Sequence, residues 1–452
     1  MNWKKIAALL LFLLVLITAI ILVDQREKRK KAVEGILLDF PAAAVEKIEL
    51  LQKDKKFVFS LRDGVWYLEE PLAAKADKVA LESILDNFCP LKYDRLVAEA
   101  AGGDLKNFGL NRPEIELRLF AKDKTRPAHT ILLGMKNNLD SSSYAKLAAG
   151  GKVVSIASYK RNNLEKDLFA FRDKRFSEFD NLAVTNMTWN YENNDFSFIK
   201  KNDQWFMDKP IFSLAQETKV SEILSAASLL EAKSFAAAVS AASRREFGLE
   251  TPLLTVEFRS ATAAKKIAVA KQGERYYALA DGFNEICEIE KDFLEKFNSD
   301  AHSFREKKVA LFYSFDIREL KFKHGTFSFE IRKGADNSWQ FIKPVAGKKP
   351  SEEKINLLLT TLADCEAKEF VDNPKALPEF AIRITMKAEN SANPGQFNDI
   401  EMEFAGAEGE IVPARNPALP YSFKVGKEIL EKLPQKLEDI SEGTQDAQTI
   451  AK

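Results

Sequence analysis

Apolar and polar positions along this chain follow two periods, and the periods succeed one another in the same order three times. Short strand-like alternations come first, at Phe57-Val58-Phe59, Phe196-Ser197-Phe198 and Phe327-Ser328-Phe329. A helical period follows each. Leu81, Ile84, Leu85 and Phe88 are spaced i, i+3, i+4, i+7, as are Val220, Ile223, Leu224 and Ala227, and Ile355, Leu358, Leu359 and Leu362. That spacing lays one apolar stripe along a helix. Alternation then returns at Ile115/Leu117/Leu119, Leu254/Val256/Phe258 and Ile382/Ile384/Met386. The pattern predicts an α+β chain of three tandem strand-rich modules, each with one amphipathic helix.

Fixed markers punctuate each round. Trp66 precedes Pro71, Trp205 precedes Pro210 and Trp339 precedes Pro344, always five residues apart. Each Trp is expected to end a short strand that the Pro breaks. It should plug one end of a module core, its ring N–H bonded to a carbonyl; a stacking platform for sugars or bases is the alternative. Phe108-Gly109-Leu110-Asn111-Arg112-Pro113 is echoed by Phe247-Gly248-Leu249-Glu250-Thr251-Pro252, with only a trace at Leu377-Pro378-Glu379-Phe380. Short closing helices are expected over 164–169, 293–297 and 429–433. The first two rounds exit through Phe171-Arg172-Asp173-Lys174-Arg175-Phe176 and Phe304-Arg305-Glu306-Lys307-Lys308-Val309. The expected boundaries are modules at 35–176, 177–309 and a degenerate 310–434, then a polar, disordered tail over 435–452. Asp77 is placed to cap the first helix. Residues 137–143 read as a polar loop, which makes Ser142 an exposed position.

Ahead of the modules, Ile6 to Val23 is an uncharged run long enough for a bilayer core, and 1–34 reads as a retained membrane anchor with a basic juxtamembrane segment. A plain Lys/Arg count across the span would leave the modules in the cytoplasm. A short tail before a single span is instead the signal-anchor arrangement, and large domains translocate largely regardless of charge. The expectation is a single pass of the cytoplasmic (inner) membrane with the modules outside the cytoplasm.

Lys+Arg and Asp+Glu both number 67, which leaves no overall field to draw in nucleic acid. Three cysteines, Cys89, Cys287 and Cys365, are too few for a disulfide scaffold. Cys89 and Cys365 read as small buried residues near the ends of their helices. His129, His302 and His324 stand apart, so no metal-ligand spacing arises and no cofactor is expected. Ser-x-x-Lys occurs at Ser143/Lys146 and Ser351/Lys354, the second at a helix start where Ser is an ordinary cap. No catalytic residue is assigned.

The repeated Trp-x-x-x-x-Pro, the apolar helix and Phe-Gly-Leu-x-x-Pro resemble the DUF4340 family of bacterial membrane-anchored proteins. Trp66, Pro71, Gly109 and Pro113, then Trp205, Pro210, Gly248 and Pro252, carry the likeness, and Trp339 and Pro344 continue it more weakly. The resemblance implies no assigned activity. It implies company with ABC transporters of the gliding-motility type, and so an accessory or scaffold role beside an ABC-type permease in the envelope. An envelope hydrolase acting on cell-wall or polysaccharide material, or a glycan- or peptide-binding module, are the alternatives.

Overall fold

The computed structural model describes residues 35–442, apart from 100–104, 123–124, 138–140, 345–347, 373, 375–377 and 392. The anchor expected at Ile6–Val23 lies outside the described residues. Among the described residues no helix is long and apolar enough to cross a membrane. Strands dominate, gathered into several sheets with helices beside them. The chain falls into two compact units, one ending at Phe176 and including Glu231–Ser234, the other holding the rest.

In the first unit a nine-stranded sheet runs, edge to edge, Ala74–Lys75, Val65–Glu70, Lys55–Arg62, Lys47–Gln52, Ile115–Phe120, His129–Asn137, Ser142–Leu147, Lys152–Ala157 and Arg95–Glu99. Gly35–Leu38 pairs separately with Leu91–Tyr93. Register places Ile48 opposite Phe59 and Leu119, and Leu50 opposite Phe57 and Leu117, all buried. Leu81, Ile84, Leu85 and Phe88 of the helix Lys78–Phe88 belong to the same core. Asp77 caps that helix, accepting from the Ala80 amide at 2.7 Å. Between the buried positions alternate charged ones, paired as Lys47–Glu49 and Arg118–Glu116. This is the one-face-buried pattern of an antiparallel sheet.

The second unit holds two sheets of the same order. One runs from Ser213–Leu214 through Gln204–Lys209, Asn194–Lys201, Val184–Tyr191, Leu254–Ser260, Ala264–Gln272, Arg275–Ala280 and Glu285–Ile289 to Ser234–Ala238. The other has eight strands. It runs from Trp339–Lys343 through Phe327–Lys333, Ile317–His324, Ile382–Glu389, Phe397–Phe404, Ile411–Arg415 and Ser422–Gly426 to Glu369–Val371. The buried residues of the helices Glu217–Ser228 and Glu352–Ala363 include the four stripe positions in each.

Backbone bonds recur at matching places. The residue before each helix donates its amide to a closing residue: Asp77 to Phe171, Gln216 to Phe304, Ser351 to Ile440. Two residues past each closing residue, Asp173 donates to Lys75, Glu306 to Leu214 and Glu442 to Lys349. Ile440 therefore does for the third sheet what Phe171 and Phe304 do for theirs, and it is 1% exposed. This corrects the expected boundary at 434. Residues 435–442 are structured despite their polarity, since one buried Ile and a set of main-chain bonds suffice to hold them. Residues 443–452 lie outside the described residues.

Other expectations are corrected too. The tryptophans open their strands rather than end them, because a tight turn comes just before. Asp63 and Gly64 both have positive φ, as do Asn202 and Asp203, the backbone of a two-residue hairpin. Ser142 and Ser143 are strand residues and buried, at 4% and 0% exposure, because the polar run continues into an interior strand. The first closing helix is two pieces, Ser158–Leu164 and Leu168–Phe171, the second capped by Asp167. Cys89 and Cys365 are buried just past their helices, and Cys287 is buried in a strand.

Candidate functional site

The sequence markers are structural positions. Trp66, Trp205 and Trp339 are buried at 8%, 4% and 4% exposure. Among the described residues, Trp339 Nε1 has no hydrogen-bond partner, contrary to expectation; its strand begins at that residue, and what it donates is its backbone amide, to Glu352 at 3.0 Å. Pro71, Pro210 and Pro344 each follow a cis peptide bond. Gly109 and Gly248 have φ of +68° and +73°. They end the short helices Leu105–Phe108 and Ala241–Glu246. Leu110 donates back to Leu105 at 2.9 Å and Leu249 to Arg244 at 2.8 Å, while each Gly donates to the residue three earlier. That pair of bonds is a Schellman cap, which needs a left-handed residue after the helix. Leu110 and Leu249 are then buried, and Pro113 and Pro252 precede the next strand half-buried. Leu377, in the third trace, lies outside the described residues.

Several of the residues considered for chemistry are otherwise engaged. Ser351 caps its helix, and Lys354 Nζ donates to the carbonyls of Glu438 and Ser441 at 2.8 and 3.0 Å. Ser143 and Lys146, three apart on one strand, point to opposite faces. His129 meets the Phe40 ring edge-on at 4.7 Å, and burial lowers its pKa. Burial pushes the Cys89 and Cys365 thiols up to about 12. Among the described residues no group of three His, Cys, Asp or Glu could hold a metal.

Two features of the second unit were not read from the sequence. The first is a joint between its two sheets. Arg305, in the exit segment of the second module, is 0% exposed. Its Nη1 and Nη2 donate to the two carboxylate oxygens of Asp372 at 2.9 and 2.7 Å. The guanidinium lies 3.8 Å from the centre of the Phe370 ring and 4.9 Å from that of Tyr421. Tyr421 Oη in turn accepts the Leu214 amide at 3.0 Å, and burial raises its pKa to about 12. Alongside, Val309 donates to Cys365 and Ala367 to Lys307. Arg305 was visible as part of a repeated exit motif. Its carboxylate partner Asp372, 67 residues on, carries no local signal.

The second feature is a cleft of about 740 Å³ in the second module. It lies between the tip of the hairpin Val184–Tyr191/Asn194–Lys201, the Lys209-Pro210 turn and the loop after Phe297. Asn193, Asn194, Asp195, Asn298 and Asp300 line it, with Phe196 and Phe297 toward the module's aromatic core.

A model of the domain of unknown function DUF4340 matches the chain twice, over residues 66–243 and 205–382. The chain is a DUF4340 protein. Each match to the DUF4340 model opens on a repeat tryptophan, Trp66 or Trp205, and runs past the next one. The second thus takes in Arg305, Phe370 and Asp372 together. No curated protein and no solved structure matches the chain.

Proposed function

We propose that this DUF4340 protein is a non-enzymatic, membrane-anchored scaffold of the cell envelope. In this reading Ile6–Val23 holds it in the inner membrane, and three tandem modules stand outside the cytoplasm beside an ABC-type permease. The observation that carries the reading is the Arg305 joint. A fully buried guanidinium shared by two sheets fixes them to one another, which suits the presentation of a defined surface. Ser351 serves as a helix cap, Lys354 as a tie between main-chain carbonyls, and Cys89 and Cys365 as core. Anchoring raises the effective concentration of a partner in the same membrane.

The test is affinity purification from detergent-solubilised membranes, with the whole chain and with residues 1–34 deleted. Permease subunits should co-purify with the whole chain and fall away on deletion. Recovery of none, together with hydrolase activity on polysaccharide, would replace the scaffold with the enzyme. Orientation is tested by Glu274→Cys, an exposed turn position, in intact cells. A reagent that crosses only the outer barrier should label it; protection would place the modules in the cytoplasm.

A further inference from the structure

The geometry points to the cleft of the second module as a binding site for a neutral oligosaccharide. The inference does not depend on the scaffold reading. It begins from a difference between modules. Gln52 ends its strand opposite Lys55, as Tyr191 ends its strand opposite Asn194. In the first module the Gln52 amide closes the space below that hairpin. Its Nε2 donates to the carbonyl of Leu164 and to that of Lys166, the latter at 3.1 Å. Leu164 lies seven residues before Phe171, just as Phe297 lies seven before Phe304. In the second module Tyr191 stands where Gln52 would, and a phenol cannot donate twice in this way. The space is the open cleft of about 740 Å³.

The lining suits a polyhydroxylated ligand. Asn193, Asn194 and Asn298 each offer one acceptor and two donors side by side. A pair of neighbouring hydroxyls, each both donor and acceptor, satisfies such an amide as no purely anionic or cationic group does. Asp195 accepts from Asn190 at 2.8 Å, which leaves its second oxygen for a ligand hydroxyl. Lys209 offsets part of the charge of Asp195 and Asp300, so no strong field selects an ion. Tyr191 supplies an aromatic side chain at the wall, and Phe196 and Phe297, buried in the core, close the floor. An extended peptide fits less well, because both hairpin strands are already paired on either side and offer no edge for strand addition.

The full chain in detergent is titrated calorimetrically with cellotriose, maltotriose, chitotriose and mannotriose, and incubated with insoluble cellulose and chitin. Alanyl-glycyl-alanine serves as the peptide control. At least one trisaccharide should bind. Asn194→Ala and Asn298→Ala, both at exposed positions, should each weaken it roughly threefold to tenfold, as for one lost hydrogen bond. Tyr191→Gln should abolish binding by restoring the closure seen at Gln52. Retention on polymer without trisaccharide binding would assign the site to the insoluble glycan. Absence of binding to all six carbohydrates overturns the inference. So does binding unaffected by all three variants while their thermal melts match the parent, or binding of the tripeptide alone.

Discussion

Removing Asp372 should harm this protein more than removing the arginine it pairs with. In Asp372→Ala the guanidinium of Arg305 stays where it is, fully buried, without its carboxylate. Breaking a buried pair from one side costs about 3–5 kcal/mol. The Asp372 side chain is 33% exposed, so water reaches part of the vacated site, and the lower end, about 3 kcal/mol, is expected. Arg305→Met reverses the situation. A flexible apolar chain still packs against Phe370 and Tyr421, and the orphaned carboxylate is the partner that can be hydrated. Loss of the cation–π contact and of the paired bonds should then total only about 1–2 kcal/mol. The double variant should resemble Arg305→Met alone, which gives a coupling of about 3 kcal/mol between the two sites. Urea unfolding supplies the energies. Calorimetry supplies a second readout, since a weakened joint should split the transition of the second unit in two. If Asp372→Ala costs under about 0.5 kcal/mol, or the double variant is as unstable as Asp372→Ala, the joint does not hold the sheets as argued.

Two further outcomes follow from the caps and the joint. Gly109→Ala should cost more than Gly248→Ala in urea unfolding: both force a left-handed alanine, about 1–2 kcal/mol, but only at Gly109 would the new Cβ meet a backbone nitrogen, that of Met135 at 2.9 Å; equal costs would refute this. Tyr421 has its pKa raised from 10.0 to about 12 by burial, so its contribution is full below pH 10 and lost as pH rises toward 12. Tyr421→Phe leaves the Leu214 amide unsatisfied, about 1–3 kcal/mol less stable at pH 7, and should flatten the fall in stability between pH 10 and 12; an unchanged slope would refute the assignment.

What could be read from the sequence was whatever a short window contains. Val220, Ile223, Leu224 and Ala227 declare a helix face because burial repeats at 3.6 residues, and that face is buried. The hairpins were legible in part. Asp63-Gly64 is a strong turn signal, and such a turn places Trp66 near the start of the strand that follows. The Gly248 cap could have been found from a glycine just after Arg244 and Arg245 in a helix-forming stretch. Ser142 could not, since a polar strand buried between neighbours looks like a loop until its partners are known. The cleft and the Arg305 joint belong to the same class. Asn193 and Asn298 are over a hundred positions apart, and only folding makes them neighbours.

The bond pattern around Ser441 has a consequence for how such chains grow. Its bridge to Pro350 corresponds to those of Arg172 with Ala76 and Arg305 with Ala215, so Ser441 stands at the arginine's place. The third module therefore carries the receiving half of a joint, Phe370, Asp372 and Tyr421, without the projecting half. Gene duplication could lengthen this protein by inserting modules ahead of the third one. A copy appended behind it would find serine where the second module has its arginine, and would begin life undocked.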